Sequence, residues 1–232
     1  MNVLVTGAAG YIGSVLVNKL LNKGYNVIGI DCLMYGGESL IGVYNHPNFK
    51  FYKADIRDID TLKPILEQVD AIVHLAAIVG DPACAKKPDL ARSINWEGSV
   101  NLLNAAHNIN RIKRFIFAST CSNYGKMEGN NYITEDSPLK PVSLYAELKV
   151  QFEKHLLQNY YRADFCPIAL RFATVYGLSP RMRFDLTVNE FTKDAALGRE
   201  LVIFGEQFWR PYCNVEDIAN ACILVLESEP EK

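Results

Sequence analysis

Short apolar runs alternate along the chain with stretches whose apolar positions recur every three or four residues. Val3-Leu4-Val5 is followed by Ile12, Val15, Leu16, Leu20 and Leu21, and the spacing predicts a strand and then a helix that stops near Lys23-Gly24. Val27 to Ile30 is a second strand, Pro47 to Lys53 a third through Phe49 and Phe51, Asp70 to Leu75 a fourth and Arg114 to Ser119 a fifth. Between them, Ile59, Leu62, Ile65 and Leu66 outline one helix, and Pro88 to His107 reads as a long one with Ile94, Leu102 and Leu103 inward. Gly80 to Ala85 reads as a loop. A further helix carries Leu144, Leu148, Val150, Phe152, Leu156 and Leu157, and a strand follows at Ile168 to Leu170. Strands that alternate with helices imply right-handed crossover units and an α/β fold, with a parallel sheet covered on both faces.

The 232 residues suffice for one large domain with a sizeable core. A net charge of -2 without a basic run gives no field to attract nucleic acid or an anionic membrane. The first apolar run is too short for a signal peptide or a membrane span. Six cysteines lie scattered without a CxxC pair, which fits buried thiols in a reducing cytoplasm. The four histidines are dispersed as well, so no metal site is expected.

The turn between the first strand and helix carries Gly7, Gly10 and Gly13. Glycines let the backbone approach a ligand closely, and the helix then presents unpaired N–H groups and its positive dipole end. A pyrophosphate fits there. Asp31 ends the second strand about 20 residues on, where a carboxylate can accept from adenosine ribose hydroxyls. Its charge repels a 2′-phosphate and no Arg or Lys follows in Cys32-Leu33-Met34, which favours NAD over NADP. Asp55 suits an adenine amino group with Ile56 on the ring, or equally the cap of the helix beyond it. Small residues in Leu75-Ala76-Ala77 admit a cofactor, and Asn95 is available to the same face. His74 reads as a packed, hydrogen-bonded residue.

Thr120 follows the fifth strand, and Tyr145 and Lys149 are four apart on one helix face. A phenol of pKa near ~10 is a poor base. A neighbouring ammonium and a positive nicotinamide favour its phenolate, and a hydroxyl at Thr120 can hold the substrate oxygen. Such a trio takes a proton from an alcohol while hydride leaves the same carbon.

GAAGYIG, Asp31, Ala54-Asp55-Ile56, His74-Leu75-Ala76-Ala77, Ser119-Thr120, YAELK and LRFATVYG together resemble the extended short-chain dehydrogenase/reductase superfamily. Within it the chain is similar to the NAD-dependent nucleotide-sugar epimerase/dehydratase family. The resemblance implies a Rossmann-like, doubly wound parallel sheet, with residues 1–175 binding NAD. Residues 176–232 would form a small, incomplete substrate-binding region, its last helix (215–228) packing back on the core. It implies pyrophosphate binding by Gly7, Gly10, Tyr11, Ile12 and Gly13, and adenosine binding by Asp31, Cys32, Leu33, Asp55 and Ile56. Leu75, Ala76, Ala77, Asn95, Ser119, Phe172 and Val175 would line the cofactor. Tyr145 would be the base and acid, Lys149 would hold the nicotinamide ribose, and Thr120 would be the helper hydroxyl. Arg183, Asn189 and Arg210 would meet a nucleotide-diphosphate sugar, Arg210 best of the three because guanidinium suits phosphate. Asp217 would cap or support the final helix.

Two features depart from the family pattern. Cys121-Ser122-Asn123 stands where dehydratases carry an acidic pair, which disfavours dehydration. Family members also usually run on beyond the position of Lys232, so a fragment, or a sugar pocket open or completed by a partner, is expected. The expected activity is nucleotide-sugar epimerisation through a transient keto-sugar. The alternatives are a dehydrogenase or keto-reductase with net redox, and an NAD-binding protein without catalysis. Helices at 88–107 and 143–161 would pair in a homodimer, as in relatives.

Overall fold

In the first strand, β1 (Asn2–Thr6), the successive residues Val3, Leu4 and Val5 are all fully buried. An unbroken buried run requires cover on both faces. Val3 and Val5 point into the core shared with α1 (Tyr11–Asn22), and Leu4 into the core on the opposite face. The computed structural model describes residues 1–126, 132–160, 164–205, 207 and 209–229.

The chain continues through β2 (Asn26–Asp31), β3 (Phe49–Lys53), α2 (Ile59–Leu66) and β4 (Ala71–His74). Next come α3 (Asp81–Lys86), α4 (Pro88–Arg92), a π turn (Ser93–Gly98), α5 (Ser99–His107) and β5 (Arg114–Thr120). After a 3-10 turn (Cys121–Tyr124) follow α6 (Leu144–Asn159), β6 (Cys166–Phe172), β7 (Thr174–Tyr176), α7 (Thr187–Ala196), β8 (Tyr212–Asn214) and α8 (Val215–Glu227). The six-stranded sheet has the order β3-β2-β1-β4-β5-β6 and is parallel throughout, and β7 and β8 form a second, two-stranded parallel sheet. This is the doubly wound α/β architecture. Its strand order reverses between β1 and β4, so their carboxyl ends open onto a crevice.

Helices α5 and α6 cover one face, where Phe152 of α6 meets Phe117 of β5 at 4.6 Å between ring centroids. Helices α1 and α8 cover the other. Helix α8 is bound to α1 and the residues after it by Lys19–Glu216 and Lys23–Glu227 pairs, and Tyr25 also donates to Glu227. Among the described residues no helix is long and apolar enough to cross a membrane.

Some local expectations are corrected. The stretch Gly80 to Ala85 is no loop: Gly80, at φ +92, turns the chain into α3 at Asp81. The long helix after Pro88 is interrupted by its π turn, which brings Gly98 against Ile56. A Cβ there would lie 3.2 Å from the Ile56 side chain. Asp58, not Asp55, caps α2, and Asn214, not Asp217, caps α8 through the N–H of Glu216. Helix α6 ends at Asn159; residue 161 of the expected helix and residues 230–232 lie outside the described residues.

His74 locks the floor of the crevice. Thr6 Oγ1 accepts from the N–H groups of Leu75 and Ala76, both at 3.1 Å, and so donates its own hydrogen to His74 Nδ1. Nε2 then donates to Ser99 Oγ at 2.9 Å. Burial, with the Lys149 charge nearby, lowers its pKa to about 3. The unfolded imidazole protonates at its ordinary ~6.5, so folding stability is lost as pH falls from there towards 3. In urea unfolding at stepped pH, wild type should lose up to about 1.4 kcal/mol per pH unit more than His74→Gln across that window. Parallel slopes for the two proteins contradict this.

Candidate active site

The crevice is a cleft of about 630 Å³, and it collects side chains from both halves of the sheet. Its amino-terminal end is the glycine turn. Gly7 has φ +70, and a Cβ on it would lie 2.9 Å from the amide nitrogen of Ala76. A Cβ on Gly13 would lie 2.0 Å from the carbonyl oxygen of Gly7. Helix α1 therefore starts in contact with the turn, which brings its first N–H groups to the cleft wall. No side chain caps α1 and its first turn carries no acidic residue, so the positive end of its dipole is left for a ligand. These features fit a dinucleotide pyrophosphate.

Asp31 lies beside the turn. One carboxylate oxygen accepts from the N–H of Ala9 at 3.1 Å and the other from Leu33 at 2.8 Å. Burial pushes this carboxyl above the ordinary range, and the two N–H donors and the charge of Arg181 oppose the shift. Arg181 also stacks 4.7 Å above the Tyr35 ring across the cleft mouth. Asp55 holds Arg57 through both oxygens, and that pairing keeps its carboxyl below the usual range.

At the other end, Ser143 caps α6 and donates to Asp81 at 2.6 Å, which ties the helix start to α3. Tyr145, one turn before Lys149, lines the cleft with Thr120, Ser122 and Phe172. Lys149 is only 4% exposed. Its ammonium donates to the carbonyl of Ala118 at 2.7 Å and sits 4.5 Å from the centre of the Phe117 ring. Burial lowers its pKa to about 7. The Tyr145 phenol is pushed well above its ordinary value, first by burial and then by Cys84, while Arg183 pulls the other way. Thr120 Oγ1 accepts from the N–H of Ser122 at 3.2 Å, so strand end and following turn move together.

Most of the expected residues converge. Gly7, Gly10, Tyr11, Ile12, Gly13, Asp31, Cys32, Asp55, Ile56, Leu75, Ala76 and Ala77 line the cleft, as do Ser119, Thr120, Tyr145, Lys149, Phe172, Val175 and Arg183. Four of them do not. Leu33 adopts φ +58 and packs beneath Gly37, so Met34 and Tyr35 reach the cleft in its place. Asn95 is buried and its amide closes on both the N–H and the carbonyl of Ile78, at 2.8 and 2.9 Å. Asn189 is buried against the Tyr11 hydroxyl, the N–H of Gly177 and the carbonyl of Arg183. Arg210 is exposed, outside the cleft lining, though its charge is felt at Cys121. Asn95 and Asn189 thus support residues that line the cleft.

Asp81, Ser122 and Tyr35 also line the cleft and Glu153 lies behind it, and none of the four is among the expected site residues. Of these, Glu153 leaves a trace: an acid four residues beyond Lys149, on the side of the helix that also carries Phe152 and Leu156.

The model of the NAD dependent epimerase/dehydratase family matches residues 3–232. A UDP-glucose 4-epimerase of Lactobacillus helveticus is 34% identical, over 98% of this chain and 72% of the relative. Two solved structures superpose closely. UDP-N-acetylglucosamine 4-epimerase of Methanobrevibacter ruminantium M1, in complex with UDP-N-acetylmuramic acid, is 32% identical with a TM-score of 0.89, covering 99% of this chain and 74% of that one. UDP-glucuronic acid 4-epimerase of Bacillus cereus, in complex with UDP-glucuronic acid and NAD, is 32% identical with a TM-score of 0.86, over the same shares.

Gly13→Ala tests the cradle. Its methyl meets backbone, which cannot swing aside as a side chain would, so the variant should lose about 1–3 kcal/mol of stability. Isothermal calorimetry should also show NAD binding weakened by at least about tenfold, because the pyrophosphate-facing turn is displaced. NAD affinity equal to wild type contradicts the assignment.

Proposed function

The chain belongs to the NAD-dependent epimerase/dehydratase family, and from that premise we propose that it is a nucleotide-sugar epimerase that inverts C4 of a UDP-sugar. The observation that carries this reading is the shared cleft. The glycine turn and Asp31 stand at one end, and Thr120, Tyr145 and Lys149 at the other. In this reading residues 1–175 hold NAD and 176–232 contribute to the sugar-nucleotide site.

The amino terminus of α1 would take the pyrophosphate and Asp31 the adenosine ribose. Asp55 keeps one acceptor position beyond the three used by Arg57, on Oδ2, for the adenine side. Lys149 uses one of its donors on Ala118, which leaves two for the nicotinamide ribose. When bound, NAD would supply a hydride acceptor, and then a hydride donor, for the sugar ring carbon. Tyr145 takes the proton of the sugar hydroxyl and later gives it back, and Thr120 holds the sugar oxygen during both transfers. Arg183 is paired with Asp185 at 2.6 Å yet lines the cleft, and it would face the substrate diphosphate. Asn189 would act through the loop that carries Arg183. Arg210 would serve the diphosphate only if its segment came over the cleft.

Dehydration would require a carboxylate beside Thr120. The turn offers Cys121, Ser122 and Asn123, and burial pushes the Cys121 thiol further from ionising. We also place the protein in the cytoplasm on its six free cysteines. Self-association would use α5 and α6, where Leu157 is 45% exposed.

Incubation with UDP-glucose, UDP-N-acetylglucosamine or UDP-glucuronic acid should yield the C4 epimer of at least one by ion-exchange chromatography, without net absorbance change at 340 nm. Tyr145→Phe should lower kcat by about 10²–10⁴-fold with bound NAD unchanged. Full activity in that variant, or steady accumulation of reduced cofactor in wild type, contradicts the epimerase reading.

A further inference from the structure

Behind the cleft lies a charged cluster that the mechanism above does not use. Glu153 of α6 is only 2% exposed. Burying a carboxylate is costly unless it is paired and hydrogen-bonded. This one accepts from four donors: Ser119 Oγ, Asn123 Nδ2 at 3.1 Å, Arg171 Nε at 2.9 Å and Arg171 Nη2. The guanidinium of Arg171 reaches on to the Tyr124 hydroxyl and the carbonyl of Glu135, both at 2.8 Å.

We propose that the Glu153–Arg171 pair is the positioning element that sets Thr120 and its turn against Tyr145. The proposal rests on the reading of Thr120 as the helper hydroxyl. Apart from the Glu135 carbonyl, the partners of the pair bracket that residue. Ser119 precedes Thr120 in β5, Asn123 and Tyr124 form the turn after it, and Arg171 is the register partner of Ser119 on β6. Tyr145, Lys149 and Glu153 stand at successive four-residue steps of α6, on one side of the helix. Lys149 grips Ala118 and Glu153 grips Ser119, so α6 cannot slide along β5 without breaking both bonds.

Stability alone does not account for the cluster. A buried ion pair is often no better than an apolar substitute of the same volume. Asn123, fully buried, commits its amide nitrogen to Ser119 and Glu153 while its side-chain oxygen has no partner among the described residues. An orphaned oxygen weakens the fold, yet the arrangement holds the turn in one orientation.

The test is a cycle of Glu153→Gln and Thr120→Ala, together with hydrogen exchange. Glu153→Gln should lower kcat for epimerisation by about 10–100-fold, with KM and NAD affinity near wild type. In the Thr120→Ala background the same change should add less than about twofold, because its effect passes through Thr120. Equal losses in both backgrounds overturn the proposal. Exchange supplies a readout independent of turnover. The Ser122 amide, bound to Thr120 Oγ1, should exchange at least about tenfold faster in Glu153→Gln, while β1 amides are unchanged. An unchanged Ser122 amide overturns the proposal even if no sugar nucleotide is turned over, and absence of wild-type turnover counts against the epimerase reading alone. Should Glu153→Gln not fold, Ser119→Ala cuts one link, spares the ion pair and must move the same amide.

Discussion

One buried lysine fixes the relation between α6 and the sheet. Lys149 has almost no contact with water, and its ammonium is given the Ala118 carbonyl and the face of Phe117. The cost of that burial shows in a pKa lowered to about 7. What the cost secures is position. Phe152, one turn further along α6, seats its ring on Phe117, so apolar packing and the polar anchor hold the same helix to the same strand. The phenol one turn earlier then meets the crevice where the strand order reverses, the place at which open parallel sheets gather their ligands.

The cleft is assembled from two kinds of constraint. At the glycine turn the constraint is steric, since the backbone just after β1, at the start of α1 and just after β4 approaches more closely than any side chain permits. Around α6 it is electrostatic, with Lys149 and Glu153 each drawn to β5. Buried amides join the two ends. Asn95 holds Ile78 in the cleft wall, and Asn189 links the Tyr11 hydroxyl to the loop carrying Arg183.

Features carried by local spacing are legible in the amino-acid sequence. The glycine turn, the carboxylate at the end of β2 and the Tyr145–Lys149 step each depend on neighbours within a few residues, and all reach the cleft. Features set by distant partners are not legible in this way. Asn95 and Asn189 look like free polar groups in sequence, yet partners 17 and 12 residues away consume them. Leu33 turns inward because its backbone takes a positive φ that few side chains adopt. Helix α3 is hidden by a Gly-Asp-Pro start that reads as a loop, although proline is at home in the first turn of a helix. Glu153 and Arg171 are 18 residues apart and meet only because β6 lies next to β5.

The folded protein also revises the electrostatic picture. Sequence spacing credits the neighbouring ammonium with stabilising the phenolate; in the fold Lys149 donates to Ala118 and lies 5.8 Å from the centre of the Tyr145 ring, while burial and Cys84 act the other way. Burial holds the Tyr145 pKa above its ordinary value, and Arg183 is the group that pulls it down. A bound oxidised cofactor would add positive charge beside this phenol and favour its ionised form. A tyrosine titration by carbon-13 NMR, with labelled ring carbons and Tyr145→Phe to assign the resonance, measures this directly. The Tyr145 phenol should titrate above the ordinary ~10 without cofactor and fall by at least about two units with NAD bound. A phenol that titrates at the same pH with and without NAD would contradict it.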